Sequence, residues 1–199
     1  MEQIKHNFVS NNCIGGRLYE CLNEQYQNPF IWTIIMPKDF LFLVENYDAI
    51  DFDKIAIEYG NFTNSKAGNR YRYLIDGKIG VVAHHYIKDE KIDKPTKIDT
   101  NLHIRNIEEY MVNKYKQRLA RMRSLDPIFV FSAFSLPQFD VSSEDIENFL
   151  AIDTPYKKML LVKDKSFLTR KAKNTRIFLA PSGSALVNAK EIYKTIWKR

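Results

Sequence analysis

The run SNNCIGG, Ser10 to Gly16, sets one thiol, Cys13, between a polar turn and the start of a helix. That placement suits a nucleophile. A helix N-terminus stabilises a thiolate through its dipole and unpaired N–H groups, which lowers the thiol pKa. The same groups, around Asn12, Ile14 and Gly15, could hold an oxyanion beside the sulfur. Gly15 and Gly16 weaken a helix where they stand, so the backbone there is expected to be closely approached, with room for a substrate. The competing reading is a structural cysteine, because an unpaired Cys packs like a small hydrophobe and its reactivity depends on exposure.

A general base for such a thiol is most often histidine. The run GVVAHHYI, Gly80 to Ile87, carries His84 and His85 on a strand. Alternation points them to opposite faces, so at most one can serve a given site. Metal binding is not expected, since these two point apart and Cys21 and His103 stand at no ligand spacing. No cofactor is expected either. In KYKQRLARM, Lys114, Arg118 and Arg121 share one helix face. Paired arginines there can hold a carboxylate or phosphate, unless the face is merely solvated. PSGSA, Pro181 to Ala185, is like a small phosphate or oxyanion loop but lacks a motif's spacing and reads as a turn.

The elements that must position these groups alternate. Ile4–Ser10 reads as a strand, with Asn11 or Asn12 capping a helix over Cys13–Leu22. Ile31–Met36 is a buried strand, and Pro37 opens the helix PKDFLFLVENY. Ile55–Tyr59 is a further strand. Arg70–Ile75, the turn Asp76–Gly77 and Lys78–Ile87 form a hairpin. A charged, mobile connector is expected over 88–102. A helix capped by Asn106 then runs to Ser124 with the apolar stripe Ile107, Met111, Tyr115, Leu119 and Met122. Pro127–Phe134, Lys158–Val162 and Thr175–Ala180 are strands, Ser142–Ala151 is a capped helix, and Val187–Trp197 closes the chain. The order argues α/β, with α+β as the variant: one domain, a central mixed sheet and flanking helices.

Composition agrees. A chain of 199 residues, 45% hydrophobic, can bury one sizeable core but hardly two. Two cysteines, eight apart on one helix, exclude a disulfide-stapled scaffold. The polar start MEQIKHNFVSNN lacks the apolar region of a signal peptide, and no apolar run is long enough to span a bilayer, so a cytoplasmic protein is expected. The net charge of +6 is uneven: acidic residues exceed basic ones by two in residues 1–100, and basic exceed acidic by eight in 101–199. Segment 157–176 has eight Lys/Arg against only Asp164. Such a patch suits a phosphorylated substrate or an anionic membrane surface. Nucleic acid is not expected, because aromatics are not interleaved as stacking needs.

Taken in order, FVSNNCIGGRLY, NPFIWTIIMPKDFLFLV, the strand ending HHY, KYKQRLARM and PIFVFS resemble a family of small proteins from bacterial capsule and exopolysaccharide clusters. Its members typically begin SNNCWGG. The chain is also similar to a sister group of papain-like cysteine peptidases, with a Cys after the first strand, a PFDW-like element, a His before an aromatic and a KYxRRxxR-like helix. The resemblance covers roughly residues 5–134. It implies a papain-like arrangement, Cys on a helix facing His on a strand, with Cys13 as nucleophile and His85 as general base. Arg118 and Arg121 match the basic helix. Two departures stand out: Ile14 replaces the family's Trp, and Ile31 replaces the Asp of the PFDW-like element. If that Asp orients the His, Asp126 or Ser132 would have to take its part. The chemistry expected is acyl transfer or hydrolysis through a thioester, on a small-molecule or glycan-precursor substrate. The alternatives are a glycosyltransferase or accessory protein holding a sugar nucleotide on its basic residues, weakened by the lack of a DxD motif, or a non-catalytic module at the anionic membrane surface.

Overall fold

The computed structural model describes residues 5–62, 70–83, 100–134, 140–180 and 185–197. His84, His85, the connector residues 88–99 and the loop residues 181–184 lie outside them. In chain order the elements are β1 (Asn7–Ser10), α1 (Ile14–Leu22), β2 (Ile34–Ile35), α2 (Pro37–Asn46), β3 (Ile55–Gly60), β4 (Arg70–Ile75), β5 (Ile79–Val82), α3 (Thr100–Met122), β6 (Pro127–Ser132), α4 (Ser143–Ala151), β7 (Lys157–Val162), β8 (Thr175–Leu179) and α5 (Ala185–Trp197).

The α/β class expected from the sequence is the one observed, with parallel and antiparallel strands sorted into two sheets. The parallel sheet has the order β1-β6-β7-β8, and the antiparallel sheet β2-β5-β4-β3. They meet where the Ile35 N–H donates to the Asn11 carbonyl at 3.0 Å. Side chains alternate across β6 and β7. Ile128, Val130, Met159 and Leu161 pack with Ile14 and Leu18 of α1 and Ala189 and Ile192 of α5. Phe129, Phe131, Leu160 and Val162 join Phe40 and Leu43 of α2, Phe149 of α4, the α3 stripe Ile107, Met111, Tyr115, Leu119 and Met122, and Tyr73, Ile75 and Val81 of the antiparallel sheet in a second cluster. That cluster binds both sheets into one core.

Local chemistry explains the element ends. Pro37 stands at the first helical position of α2, where its missing N–H does no harm. Asp76 and Gly77 both have positive φ, 51° and 66°, as a tight hairpin turn requires. Ser142 caps α4 in a reciprocal capping box with Asp145. At the other end of α4 the buried Lys158 ammonium donates to the carbonyls of Phe149, Leu150 and Ile152 at 2.8, 3.2 and 2.6 Å. Burial pushes this lysine down to about 8, and the carbonyl end of the helix opposes that fall by favouring the cation. Two expectations are corrected. α3 begins at Thr100, so Asn106 is an exposed residue within the helix and not its cap, and residues 100–102 are helical instead of connector. The strand expected over Ile31–Met36 shrinks to Ile34–Ile35, because Trp32 takes a left-handed backbone, φ 63°.

Candidate active site

β1 is an edge strand of four buried residues, and its carboxyl end delivers the chain to Cys13. Its outer edge is closed by side chains, which blocks pairing with other strands. The Phe8 N–H donates to Tyr19 Oη at 3.1 Å, and that hydroxyl donates to the His6 carbonyl at 2.7 Å. Asn28 Nδ2 donates to the Phe8 carbonyl at 2.7 Å and to Asn7 Oδ1 at 2.8 Å.

Where the backbone leaves the sheet, Asn11 continues the ladder with its side chain. Its Nδ2 donates to the Ser132 carbonyl at 3.1 Å and its Oδ1 accepts from the Ser132 N–H at 2.9 Å, so the amide imitates one more residue of strand β1. Its own carbonyl holds Ile35. One buried asparagine thus fastens the parallel sheet, the antiparallel sheet and the turn to Cys13. Asn12 Oδ1 accepts from the Ile14 N–H at 3.0 Å. Ser10 Oγ donates to the Asn12 carbonyl at 2.6 Å and accepts from the Gly15 N–H at 3.1 Å. Ser10, Asn11 and Asn12 are all buried, so these bonds form where an unmade one would cost about 1–3 kcal/mol.

Cys13 itself occupies the N-cap of α1, half-buried, with φ −65° and ψ −2°, and its carbonyl accepts the first helical bond from Arg17. It is in no disulfide, and neither is Cys21. The sequence places the cysteine correctly at the head of the helix, and the structure revises what surrounds it. Ile14 and Gly15 direct their N–H groups to Asn12 and Ser10. Of the first-turn N–H groups, that of Gly16 takes neither acceptor. The two glycines do not open space for a substrate. A Cβ on Gly15 would lie 2.5 Å from Ser10 Oγ, and one on Gly16 would lie 2.8 Å from the Trp32 ring. The close approach expected at this backbone is real, and the protein's own side chains make it. Trp32 is half-buried, with the Arg17 guanidinium 4.8 Å above its ring and Glu20 paired to Arg17 at 2.6 Å.

The basic face of α3 has a similar fate. Arg118 is 7% exposed, its guanidinium lies 5.4 Å from the Tyr26 ring centre, and Nη1 donates to the Ile31 carbonyl at 3.4 Å. Arg121 Nε donates to the Tyr26 carbonyl at 2.9 Å. The two arginines clasp the 26–31 segment that leads to Trp32, which corrects the expectation of an open docking face for an anion. Lys114 Nζ meets Tyr110 Oη at 2.9 Å, further along the helix. Of the two substitutes for the missing Asp, Asp126 precedes Pro127 at the amino end of β6, whereas Cys13 follows the carboxyl end of the parallel neighbour β1. A strand's length separates them, roughly 3.3 Å per residue, so Asp126 is ruled out. Ser132 is at the correct end, bound through its backbone to Asn11.

His85 lies outside the described residues. The strand before it is placed: Val82 of β5 pairs with Ile34, whose neighbour Ile35 is bonded to Asn11. Residues unremarked in the sequence, Ser10 and Trp32, prove central to the site's construction. An unbroken polar triplet directly after an apolar strand was the available signal for Ser10. Trp32 is the Trp of the PFDW-like element, to which the sequence alone attached no role. Among the described residues no group of three or more His, Cys, Asp or Glu is arranged to hold a metal ion, and no helix is long and apolar enough to cross a membrane.

A family model described as a domain of unknown function, DUF1919, matches residues 1–177. No curated protein matches the chain.

Proposed function

The chain belongs to the DUF1919 family, and from the site above we propose that it is a thiol enzyme, an acyltransferase or hydrolase with Cys13 as nucleophile. The observation that carries this reading is the half-buried Cys13 at the positive end of α1, beyond the carboxyl end of a parallel strand, on a turn fixed by three buried polar side chains. Ligands of open α/β sheets gather at that end of the strands. Buried polar networks of this kind hold a group in one position, which a nucleophile needs and a packing cysteine does not.

In the proposed cycle His85 takes the Cys13 proton. The thiolate adds to an acyl carbonyl, forming a C–S bond, and the leaving alkoxide or amine departs with the proton from the His85 imidazolium. Water or a sugar hydroxyl then attacks the thioester, His85 accepts its proton, and the C–S bond breaks to restore the thiol. The N–H groups of Ile14 and Gly15 are committed to Asn12 and Ser10, so they are not the donors for the oxyanion. Arg118 and Arg121 serve this reading by positioning the segment that carries Trp32. The resemblance of SNNCIGG and its companion motifs to capsule and exopolysaccharide proteins points the acyl chemistry toward a bacterial glycan precursor.

An activated ester tests this without knowledge of the substrate. Incubation with p-nitrophenyl acetate should release nitrophenol in a burst and leave one acetyl group on Cys13, located by mass spectrometry of peptides. Cys13→Ser should abolish the burst, and His85→Ala should slow it about a hundredfold. Acetylation spread over lysines, with no preference for Cys13, contradicts the proposal.

A further inference from the structure

At the end of the parallel sheet opposite Cys13, the amino ends of β6, β7 and β8 border a crevice of about 550 Å³. Ile128 and Met159 form an apolar floor with Ala172 beside them, while Lys157, Arg176 and Asn174 stand around it. Among the described residues no Asp or Glu lines it. The volume falls in the range of pockets that hold small organic molecules, roughly 300–1,000 Å³. A lining of one sign focuses its field on whatever enters.

The cations here differ from two neighbours in the same basic segment. Arg170 is paired with Glu147 at 3.2 Å and Lys173 with Asp153 at 2.8 Å. Lys157 and Arg176 take no carboxylate partner among the described residues. Lys158 turns its ammonium the other way, into the end of α4, and the His6 ring on the crevice wall is held by Glu24 at 2.7 Å. The rim is fixed in place: Asn174 sits in the left-handed region, φ 53°, with Nδ2 donating to the Thr154 and Pro155 carbonyls at 3.0 and 3.3 Å. Its carbonyl accepts from the Lys158 N–H at 2.8 Å.

We propose that this crevice is a second binding site, for a small organic anion with an apolar or aromatic body. The body rests on Ile128 and Met159, and the charge lies between Lys157 and Arg176. The site is independent of the thiol chemistry, and either reading can fail without the other.

Two dyes with nearly the same aromatic body and different charge test it on the full chain: anilinonaphthalene sulfonate, an anion, and phenylnaphthylamine, which is neutral. Dye fluorescence and calorimetry should give one anionic dye per chain. The double variant Lys157→Gln/Arg176→Gln, at two exposed positions, should weaken that dye about tenfold and leave the neutral dye unchanged. Ala172→Trp, which fills the crevice from its rim, should remove both. The proposal is overturned if the charge variant binds the sulfonate as tightly as the wild type does. It is also overturned if both dyes weaken together in that variant, or if Ala172→Trp changes neither.

Discussion

α1 carries a cysteine at each end, and the two sulfurs meet opposite surroundings. Cys21 lies in the last turn, where carbonyl groups and the negative end of the helix disfavour a thiolate. Burial pushes its thiol up, Glu20 adds to the rise, and Lys190 and Arg17 counter it only in part. Cys13 lies at the positive end, at the junction of both sheets, after three residues, Ser10, Asn11 and Asn12, whose side chains each have a polar task. The same residue type on the same helix thus meets two electrostatic settings, and on the proposed reading that of Cys13 serves chemistry. Position along the element and the fixity of the turn make that difference.

The sharpest way to break the comparison is to let the two thiols compete for one reagent. At neutral pH iodoacetamide should label Cys13 about ten- to thirtyfold faster than Cys21, since thiolate fraction outweighs the lower nucleophilicity of a more acidic thiol. Cys13→Ser should leave only the slow phase. Loss of the turn's support should erase the preference. Asn11→Ala removes both bonds to Ser132 and is expected to destabilise the fold by about 2–3 kcal/mol, with Cys13 labelling falling toward the Cys21 rate. Chemical denaturation and peptide mass spectrometry read the two effects separately. Gly15→Ala, which drives a methyl group into Ser10, should lower stability by about 1–3 kcal/mol while leaving Cys21 labelling unchanged.

Lys158 sharpens the comparison from the opposite end of the sheet, where a buried cation serves structure alone. Lys158→Met leaves three carbonyls without their donor and should lower stability by about 2 kcal/mol. The pH dependence follows from its lowered pKa. Between about 8 in the folded chain and the ordinary 10.5, the unfolded chain binds more protons, so wild-type stability rises with pH in that window and the full penalty stands below it. Relative to Lys158→Met, the wild type should gain about 1–2 kcal/mol between pH 7 and pH 9.5. The smallest effect is expected from Arg121→Gln, which loses one bond to the Tyr26 carbonyl, about 1 kcal/mol, with no change in Cys13 labelling.

Features specified by near neighbours were legible in the sequence. Pro37 opening α2, Asp76–Gly77 turning the hairpin, Ser142 with Asp145 capping α4, and Cys13 heading α1 are each decided within four residues. Features decided by distant partners were not. Asn11 reads as a helix cap, and only the arrival of Ser132 some hundred residues later makes it a rung of the sheet. Arg118 and Arg121 read as an anion-binding face until the 26–31 segment folds across them. Gly16 reads as an opening until Trp32 closes it. Asn106 is a good local cap, but the helix starts at Thr100 and passes through it. The sorting of strands into two sheets is likewise a matter of long-range pairing, which alternation of strands and helices leaves undetermined.

The most direct measurement of the central claim is the pH dependence of alkylation at the two cysteines within one chain, in the wild type and in His85→Ala. The account predicts that Cys13 reacts at its full rate already near pH 7, that this shoulder disappears in His85→Ala, and that Cys21, its thiol pushed up by burial, reacts only at higher pH than an ordinary thiol in both. A single shared profile for the two thiols, or a Cys13 profile indifferent to His85, would contradict it.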